Sequence, residues 1–186
     1  KIDFKEKDLV IDCGANYADL WIYLKSFIQE KNYITFEPGK EEFQSICRNA
    51  SKARNYNIGL GKNDEVKKFY VNHLDADSSF IEPSEYSKIE EIKTTTLDKF
   101  ISENNIKSIK LLKLEAEGFE PEILLGTKKS LHKIKYIAID GGYERGINKD
   151  ETFSEQTNIL IQNGFKMISV NFNWGRALFE NKKFLS

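Results

Sequence analysis

Asp8-Leu9-Val10-Ile11-Asp12-Cys13-Gly14-Ala15-Asn16 is the stretch that decides the fold. An apolar, β-prone run from Leu9 to Ile11 ends in an acid and then a glycine-containing turn. A helical stretch, Leu20–Glu30, follows. A short second strand, Tyr33–Phe36, then ends in Glu37-Pro38. Strand, glycine turn, helix, strand, acid is the layout of a nucleoside-binding βαβ unit, in which the glycine lets backbone approach a ligand closely. Glu37 stands 23 positions after Gly14, near the roughly 20-residue offset at which an acid accepts hydrogen bonds from ribose hydroxyls.

The turn is not a dinucleotide fingerprint, because Asn16 and Asp19 stand where that pattern needs glycines. Without a pyrophosphate cradle, a ligand with ribose but no phosphate fits better, and S-adenosylmethionine is one. A plain tight turn in a parallel sheet is the competing explanation.

Working outward, strand and helix patterns alternate almost to the end. Lys40–Ser51 carries Phe43, Ile46 and Cys47 at helical spacing. Arg54–Leu60 reads as a third strand and Val66–Val71 as an extra one. The irregular stretch 73–87 is the longest loop and the expected place for substrate contacts, with His73 and Ser79 as candidates. Lys93–Thr96 is short and β-branched, and Thr96 is a candidate cap for a helix over Leu97–Asn105. Ile109–Leu114 reads as a central parallel strand buried on both faces. A helix over Pro121–Leu131, a strand over Ile134–Ile139 and a helix over Thr152–Asn163 follow. Two last strands, Phe165–Phe172 and Ala177–Phe184, flank a turn at Asn171–Gly175. This order predicts an α/β, doubly wound, mostly parallel sheet with a terminal antiparallel hairpin.

Composition narrows the function. The 186 residues suit one domain; hydrophobic residues make up 40% and charged residues 31%, as in a water-soluble globular protein. A net charge of −1 gives no general attraction to nucleic acid or anionic membrane. Two cysteines, one on a buried strand and one on a helix, make a disulfide framework unexpected, and a reducing, cytoplasmic setting fits. No apolar run reaches the roughly 18 residues of a membrane span, and residues 1–8 do not read as a signal peptide. The first strand begins almost at once, which leaves a missing native N-terminal extension open.

Polar residues recur at the expected carboxyl ends of strands: Asp12 and Gly14, Glu37, Asn57, Glu115 and Glu117, and Asp140. In an open α/β sheet those ends converge on one cleft, although each acid alone could simply cap a helix. Strand alternation puts Lys113, Glu115 and Glu117 on one face, where the lysine favours the ionised carboxylates. A buried ion pair needed only for structure is the alternative. His132 reads as a surface residue. Asp75 and Asp77 could together hold a metal, or simply form a turn. Trp21 and Trp174 read as packing residues, although Trp174 in the last turn could floor an acceptor pocket.

Val10-Ile11-Asp12-Cys13-Gly14-Ala15-Asn16, Phe36-Glu37-Pro38, Thr95-Thr96-Leu97-Asp98, Leu112-Lys113-Leu114-Glu115-Ala116-Glu117-Gly118-Phe119-Glu120 and Leu124-Leu125-Gly126 together resemble the FkbM-type S-adenosylmethionine-dependent methyltransferases. Asp140-Gly141-Gly142-Tyr143-Glu144-Arg145-Gly146 is also similar to a segment of some members. The resemblance runs over roughly residues 8–184. It implies a single methyltransferase domain over 1–186 and a seven-stranded Rossmann-like sheet. It also implies O-methylation of a sugar or small metabolite; the near-neutral charge leads us to expect no nucleic-acid partner, and the oligomeric state is left open.

On that basis Asp12, Gly14, Ala15 and Asn16 hold the methionine moiety, Glu37 and Pro38 the ribose, and Asn57 lies near adenine. Glu115 and Glu117 sit by the sulfonium and acceptor, oriented by Lys113. His73, Ser79, Asp140 and Trp174 are the acceptor-side candidates. No resident metal is expected. One rival has Glu115, Asp140 and a loop acid hold Mg²⁺ against a diol; another is a non-catalytic S-adenosylmethionine-binding module. The family usually has glycine near position 18, where this chain has Ala18; a positive φ there would weaken cofactor binding.

Overall fold

The computed structural model describes residues 2–72 and 78–184. His73, Asp75 and Asp77 lie outside them.

Twelve strands and five α-helices are described. In chain order they are β1 (Val10–Cys13), α1 (Asp19–Leu24), β2 (Tyr33–Phe36), α2 (Lys40–Asn49), β3 (Arg54–Tyr56), β4 (Gly59–Leu60), β5 (Glu65–Val71), β6 (Lys88–Thr95), α3 (Leu97–Glu103), β7 (Ile109–Leu114), α4 (Glu120–Leu125), β8 (Ile134–Asp140), β9 (Tyr143–Arg145), β10 (Asp150–Glu151), α5 (Phe153–Gln162), β11 (Phe165–Asn171) and β12 (Arg176–Asn181). Seven strands form the main sheet in the order β11-β12-β8-β7-β1-β2-β3. Pairing is parallel from β8 to β3, and the terminal hairpin joins antiparallel through β12. The doubly wound sheet with its terminal hairpin is as the alternation of elements predicts.

Strand alternation explains the two layers. Val10, Leu111 and Tyr33 share register and face Trp21, Leu24 and Ile46 on one side. Ile11, Leu112 and Ile34 face the other side, where Leu97, Ile101, Ile123 and Leu160 complete a second core. The chain winds one way from β1 through β3 and the other way from β7 onward. The order therefore reverses between β1 and β7, and a crevice opens there at the carboxyl ends.

Several boundaries differ from expectation. The first helix stops at Leu24, not Glu30; its Trp21-Ile22-Tyr23 centre is aromatic and β-branched, which lowers helix propensity. The third strand is broken after Tyr56, because Asn57 folds its side chain back onto the end of β2 and the following residues pass to another sheet. That second sheet, β4-β6-β5, is larger than expected, with β6 spanning eight residues. The helix after β7 ends at Leu125, at Gly126. The β9–β10 hairpin was not foreseen.

Candidate active site

Two turns meet at the switch point. The turn after β1 is held to the end of β2 by backbone: Gly14 and Ala15 N–H both donate to the Phe36 carbonyl, at 3.0 and 3.3 Å. Gly14 is at φ +70, and a Cβ there would stand 1.6 Å from the Glu115 carbonyl oxygen. Glycine is therefore required twice, for the backbone angle and for the close approach of the β7 turn. Asn16 and Ala18 also have positive φ, 48 and 63. The turn thus survives with alanine at 18, in the conformation for which glycine would be the easier choice.

The turn after β7 is built differently. Glu117 (φ 51) and Gly118 (φ 88) reverse the chain, and Phe119 N–H donates to the Ala116 carbonyl at 3.1 Å. Three side chains pin it. The buried Glu120 carboxylate accepts from Ala116 N–H at 2.6 Å and Gly118 N–H at 3.3 Å. Ser79 donates its hydroxyl to the Glu117 carbonyl at 2.7 Å. Arg145 donates to the Gly118 carbonyl at 2.6 Å while forking onto Glu122 at 2.7 and 2.9 Å. Burial raises the Glu120 pKa, against the pull of those backbone donors.

Between the turns lies a cavity of about 210 Å³. The Asp12–Asn16 turn, Glu37, Pro38, Glu115 and Glu117 line it at one end, and Leu60, Phe69, Phe80 and Phe119 give it an apolar far wall. Glu37 is 7% exposed, and its carboxylate accepts from Asn16 N–H at 2.9 Å and Gly39 N–H at 2.8 Å. Burial outweighs these donors and pushes its pKa up to about 7. Asn16 Oδ1 is buried without a hydrogen-bond partner among the described residues. A buried acceptor pair on Glu37, an unsatisfied amide oxygen and an apolar slot suit a nucleoside with free hydroxyls.

Lys113 is the charge hub. Its Nζ lies 2.7 Å from Glu115 Oε2, 3.1 Å from Asp12 Oδ1 and 2.9 Å from the Gly14 carbonyl. Burial alone would depress the ammonium; Asp12 and Glu115 outweigh it and hold its pKa above the ordinary value. Asp12 also accepts the Tyr33 hydroxyl proton in a hydrogen bond. Glu115 reaches Arg176 Nη2 at 3.3 Å, and Arg176 Nε donates to Asp140 Oδ2 at 2.5 Å. Burial pushes the Glu115 pKa up, but Lys113 and Arg176 together bring it below the ordinary carboxylate value.

The structure thus brings Asp12, Gly14, Ala15, Asn16, Glu37, Pro38, Lys113, Glu115 and Glu117 to one cavity. It does not place Asn57 on the wall. That amide donates to the Glu37 and Pro38 carbonyls at 2.8 and 3.0 Å and so braces the chain after β2 from behind. Ser79 is buried and shapes the Glu117 turn. Asp140 is buried against Arg176, and Trp174 stands exposed beyond it. Lys113 meets Asp12 and Glu115 across and along the sheet, so the turn at residues 116–119 takes Glu117 out of the strand alternation expected for it. Glu120, Arg145 and Arg176 had no assigned role in the sequence. Glu120 and Arg145 stood within quoted segments, whereas nothing local marks Arg176. Among the described residues no cluster of three or more His, Cys, Asp or Glu could hold a metal ion.

Comparison with known proteins agrees with this fold. The family described as the Methyltransferase FkbM domain matches residues 12–167. Methyltransferase 1 of Beauveria bassiana (strain ARSEF 2860) is 22% identical over 196 residues, covering 92% of this chain and 77% of the relative. The crystal structure of methyltransferase FkbM from Methylobacillus flagellatus KT superposes with a TM-score of 0.61 at 18% identity. That match covers 95% of this chain and 44% of the other, so the present chain spans under half the length of that protein. Aeropyrum pernix fibrillarin, crystallised with natively bound S-adenosyl-L-methionine, superposes at 0.54 with 8% identity, covering 96% of this chain and 68% of that one.

Proposed function

The chain belongs to the FkbM methyltransferase family, and from that premise we propose that it is an S-adenosylmethionine-dependent O-methyltransferase. Its acceptor is the hydroxyl of a sugar or small metabolite, and nucleic acid is not its partner. The observation that carries the reading is Glu37, a buried carboxylate that faces the cavity beside the glycine turn. Its oxygens can take both ribose hydroxyls, while Phe69, Phe80 and Phe119 offer an apolar seat to the base. Glu115, held ionised on the cavity wall, puts a carboxylate at the amino-acid end, complementary to an ammonium and a sulfonium.

When bound, the cofactor supplies an electrophilic methyl group on sulfonium with a neutral thioether as leaving group. This chain's residues do the rest. Lys113 and Arg176 hold Glu115 ionised, which makes it a fixed counter-charge and a poor proton acceptor. Glu117, on the pinned turn, takes the acceptor's hydroxyl proton as the oxygen bonds to carbon. Holding the turn by three side chains keeps that carboxylate aligned. Glu115 and Asp140, the strand-end acids of the metal-assisted rival, are each engaged by a cation, which favours the metal-free reading.

Calorimetry with S-adenosylhomocysteine tests the reading. Wild type should bind it equally with and without EDTA. Glu37→Ala should bind at least about tenfold more weakly, a loss of about 1.4 kcal/mol, while staying folded. Unchanged affinity in a folded variant removes the ribose role. A screen of methyl transfer to sugars, nucleotide sugars and small hydroxylated metabolites then identifies the acceptor.

A further inference from the structure

Three of the largest side chains exposed by this protein stand together. Among the described residues, the large hydrophobic side chains with the greatest exposure are Phe172 at 78%, Tyr143 at 75% and Trp174 at 66%. All three line one cleft of about 400 Å³, distinct from the cofactor cavity. Its base includes the bare backbone of Gly141, Gly142 and Gly175, where Gly141 N–H donates to the Gly175 carbonyl at 3.0 Å. Aromatic side chains gathered on a concave surface mark a binding site, since exposing them without a partner is unfavourable.

The cleft is linked to the cofactor cavity through the carboxyl end of β8 and the start of β12. Gly142 N–H reaches Asp140 Oδ1 at 3.4 Å, Asp140 holds Arg176, and Arg176 holds Glu115 on the wall of the cofactor cavity. A molecule seated on the glycine base therefore lies one residue beyond Asp140, on the same carboxyl edge of the sheet.

Charge sets the class of ligand. Glu144 and Glu151 line the cleft, and among the described residues no lysine, arginine or histidine does. The Glu151 carboxylate also accepts from Ser154 N–H at 2.8 Å, which fixes it at the start of α5. Arg176 lies in the field of Glu144 but is engaged by Asp140 and Glu115, so a phosphate here would still face an excess of carboxylate. A neutral pyranose suits the surroundings: its C–H face packs on an aromatic ring and its hydroxyls donate to carboxylates and backbone carbonyls.

We propose that this Tyr143–Phe172–Trp174 cleft is the acceptor subsite and that it selects an uncharged glycosyl ring against phosphorylated ones. The proposal rests on the methyltransferase reading above.

Saturation-transfer NMR tests it. The probes are methyl glycosides of a hexose, a 6-deoxyhexose and an N-acetylhexosamine, alongside the 6-phosphates of the first and third and a short oligoribonucleotide. Each is measured with wild type, with and without S-adenosylhomocysteine. At least one neutral glycoside should give a signal, and its phosphate should bind at least about tenfold more weakly. Trp174→Ala, a change at an exposed turn, should weaken the glycoside at least about tenfold and leave the melting temperature and S-adenosylhomocysteine affinity unchanged. Glu144→Gln should narrow the gap between glycoside and phosphate. Three results overturn the proposal: no glycoside signal, equal or tighter binding of phosphates or the oligoribonucleotide, or glycoside binding indifferent to Trp174. If any of these accompanies intact S-adenosylhomocysteine binding, the cofactor reading stands and only the subsite falls. Failure of wild type to bind S-adenosylhomocysteine overturns both.

Discussion

The turns after β1 and β7 meet over the same cavity, yet backbone and side chains share the work of holding them in different proportions. The first is tied chiefly by backbone to the neighbouring strand end, through Gly14, Ala15 and Phe36, with Glu37 and Lys113 adding one side-chain bond each, to Asn16 N–H and the Gly14 carbonyl. The second depends on side chains from three other places: Ser79 ahead of β6, Glu120 in α4 and Arg145 in β9. A backbone-tied turn needs only residues that permit its angles. A side-chain-tied turn can be loosened by substitutions far away in sequence. The turn after β1 thus rests mainly on its own backbone, and the turn carrying Glu117 mainly on side chains from the rest of the fold.

The close approach of Gly14 to the Glu115 carbonyl, where the two turns touch, should show the largest effect. Gly14→Ala drives a methyl into the Glu115 carbonyl and forces alanine to φ +70. The expected loss is about 3 kcal/mol or more from overpacking and backbone strain combined. Thermal melting should fall by about 10 °C. Near-normal melting would mean the turns are not in contact.

Next comes the chemistry of the side-chain-held turn. Glu117→Gln preserves shape and removes proton acceptance, which should cost about 10²–10⁴ in turnover. Melting and S-adenosylhomocysteine affinity should barely change. A structural carboxylate would give the reverse pattern, and near-wild-type turnover ends the base assignment. The same difference explains what the sequence revealed. The β1 turn announces itself within nine residues, because glycine, an acid and a strand pattern are all local. Glu115 and Glu117 were legible from strand alternation with Lys113, but the departure of Glu117 from that alternation was not. It depends on Glu120, Ser79 and Arg145, the last of which lies 28 residues away. Arg176 was invisible for the same reason: its partners Glu115 and Asp140 meet it only through the antiparallel pairing of β12 with β8. Asn57 was misplaced because strand periodicity does not reveal that an amide will cap the neighbouring strand.

Glu37 allows the cofactor end to be probed by pH. Its pKa is raised by burial from an ordinary 4.5 to about 7. The folded protein therefore binds more protons than the unfolded chain between those values, and this group's contribution to apo stability falls as pH rises through that window. The full effect is about 3 kcal/mol. Ribose hydroxyls donate best to the ionised carboxylate, so S-adenosylhomocysteine should bind more tightly as pH rises from 6 to 8, releasing a proton at the lower end. Calorimetry in buffers of different ionisation enthalpy measures that proton. Glu37→Gln should abolish the pH dependence; an unchanged profile would assign it to another group.

The smallest effect concerns Ala18, which sits at φ 63 where glycine would be unstrained. Left-handed backbone costs an L-residue roughly 1–2 kcal/mol, which Ala18→Gly would relieve. Two effects oppose that gain. Glycine gives the unfolded chain more freedom, a loss of about 0.4–1 kcal/mol. The Ala18 methyl is also buried in the core with Trp21 and Leu24, and removing it forfeits about 0.8 kcal/mol. The three nearly cancel, so Ala18→Gly should shift melting by no more than about 3 °C and leave cofactor affinity unchanged. This cancellation is why alanine is tolerated in a turn held mainly by its own backbone. A β-branched residue has no such compensation, and Ala18→Val should be clearly destabilised. If Ala18→Gly instead raised cofactor affinity tenfold, strain at 18 would be reaching the ligand, and the backbone hold assigned to the first turn would be wrong.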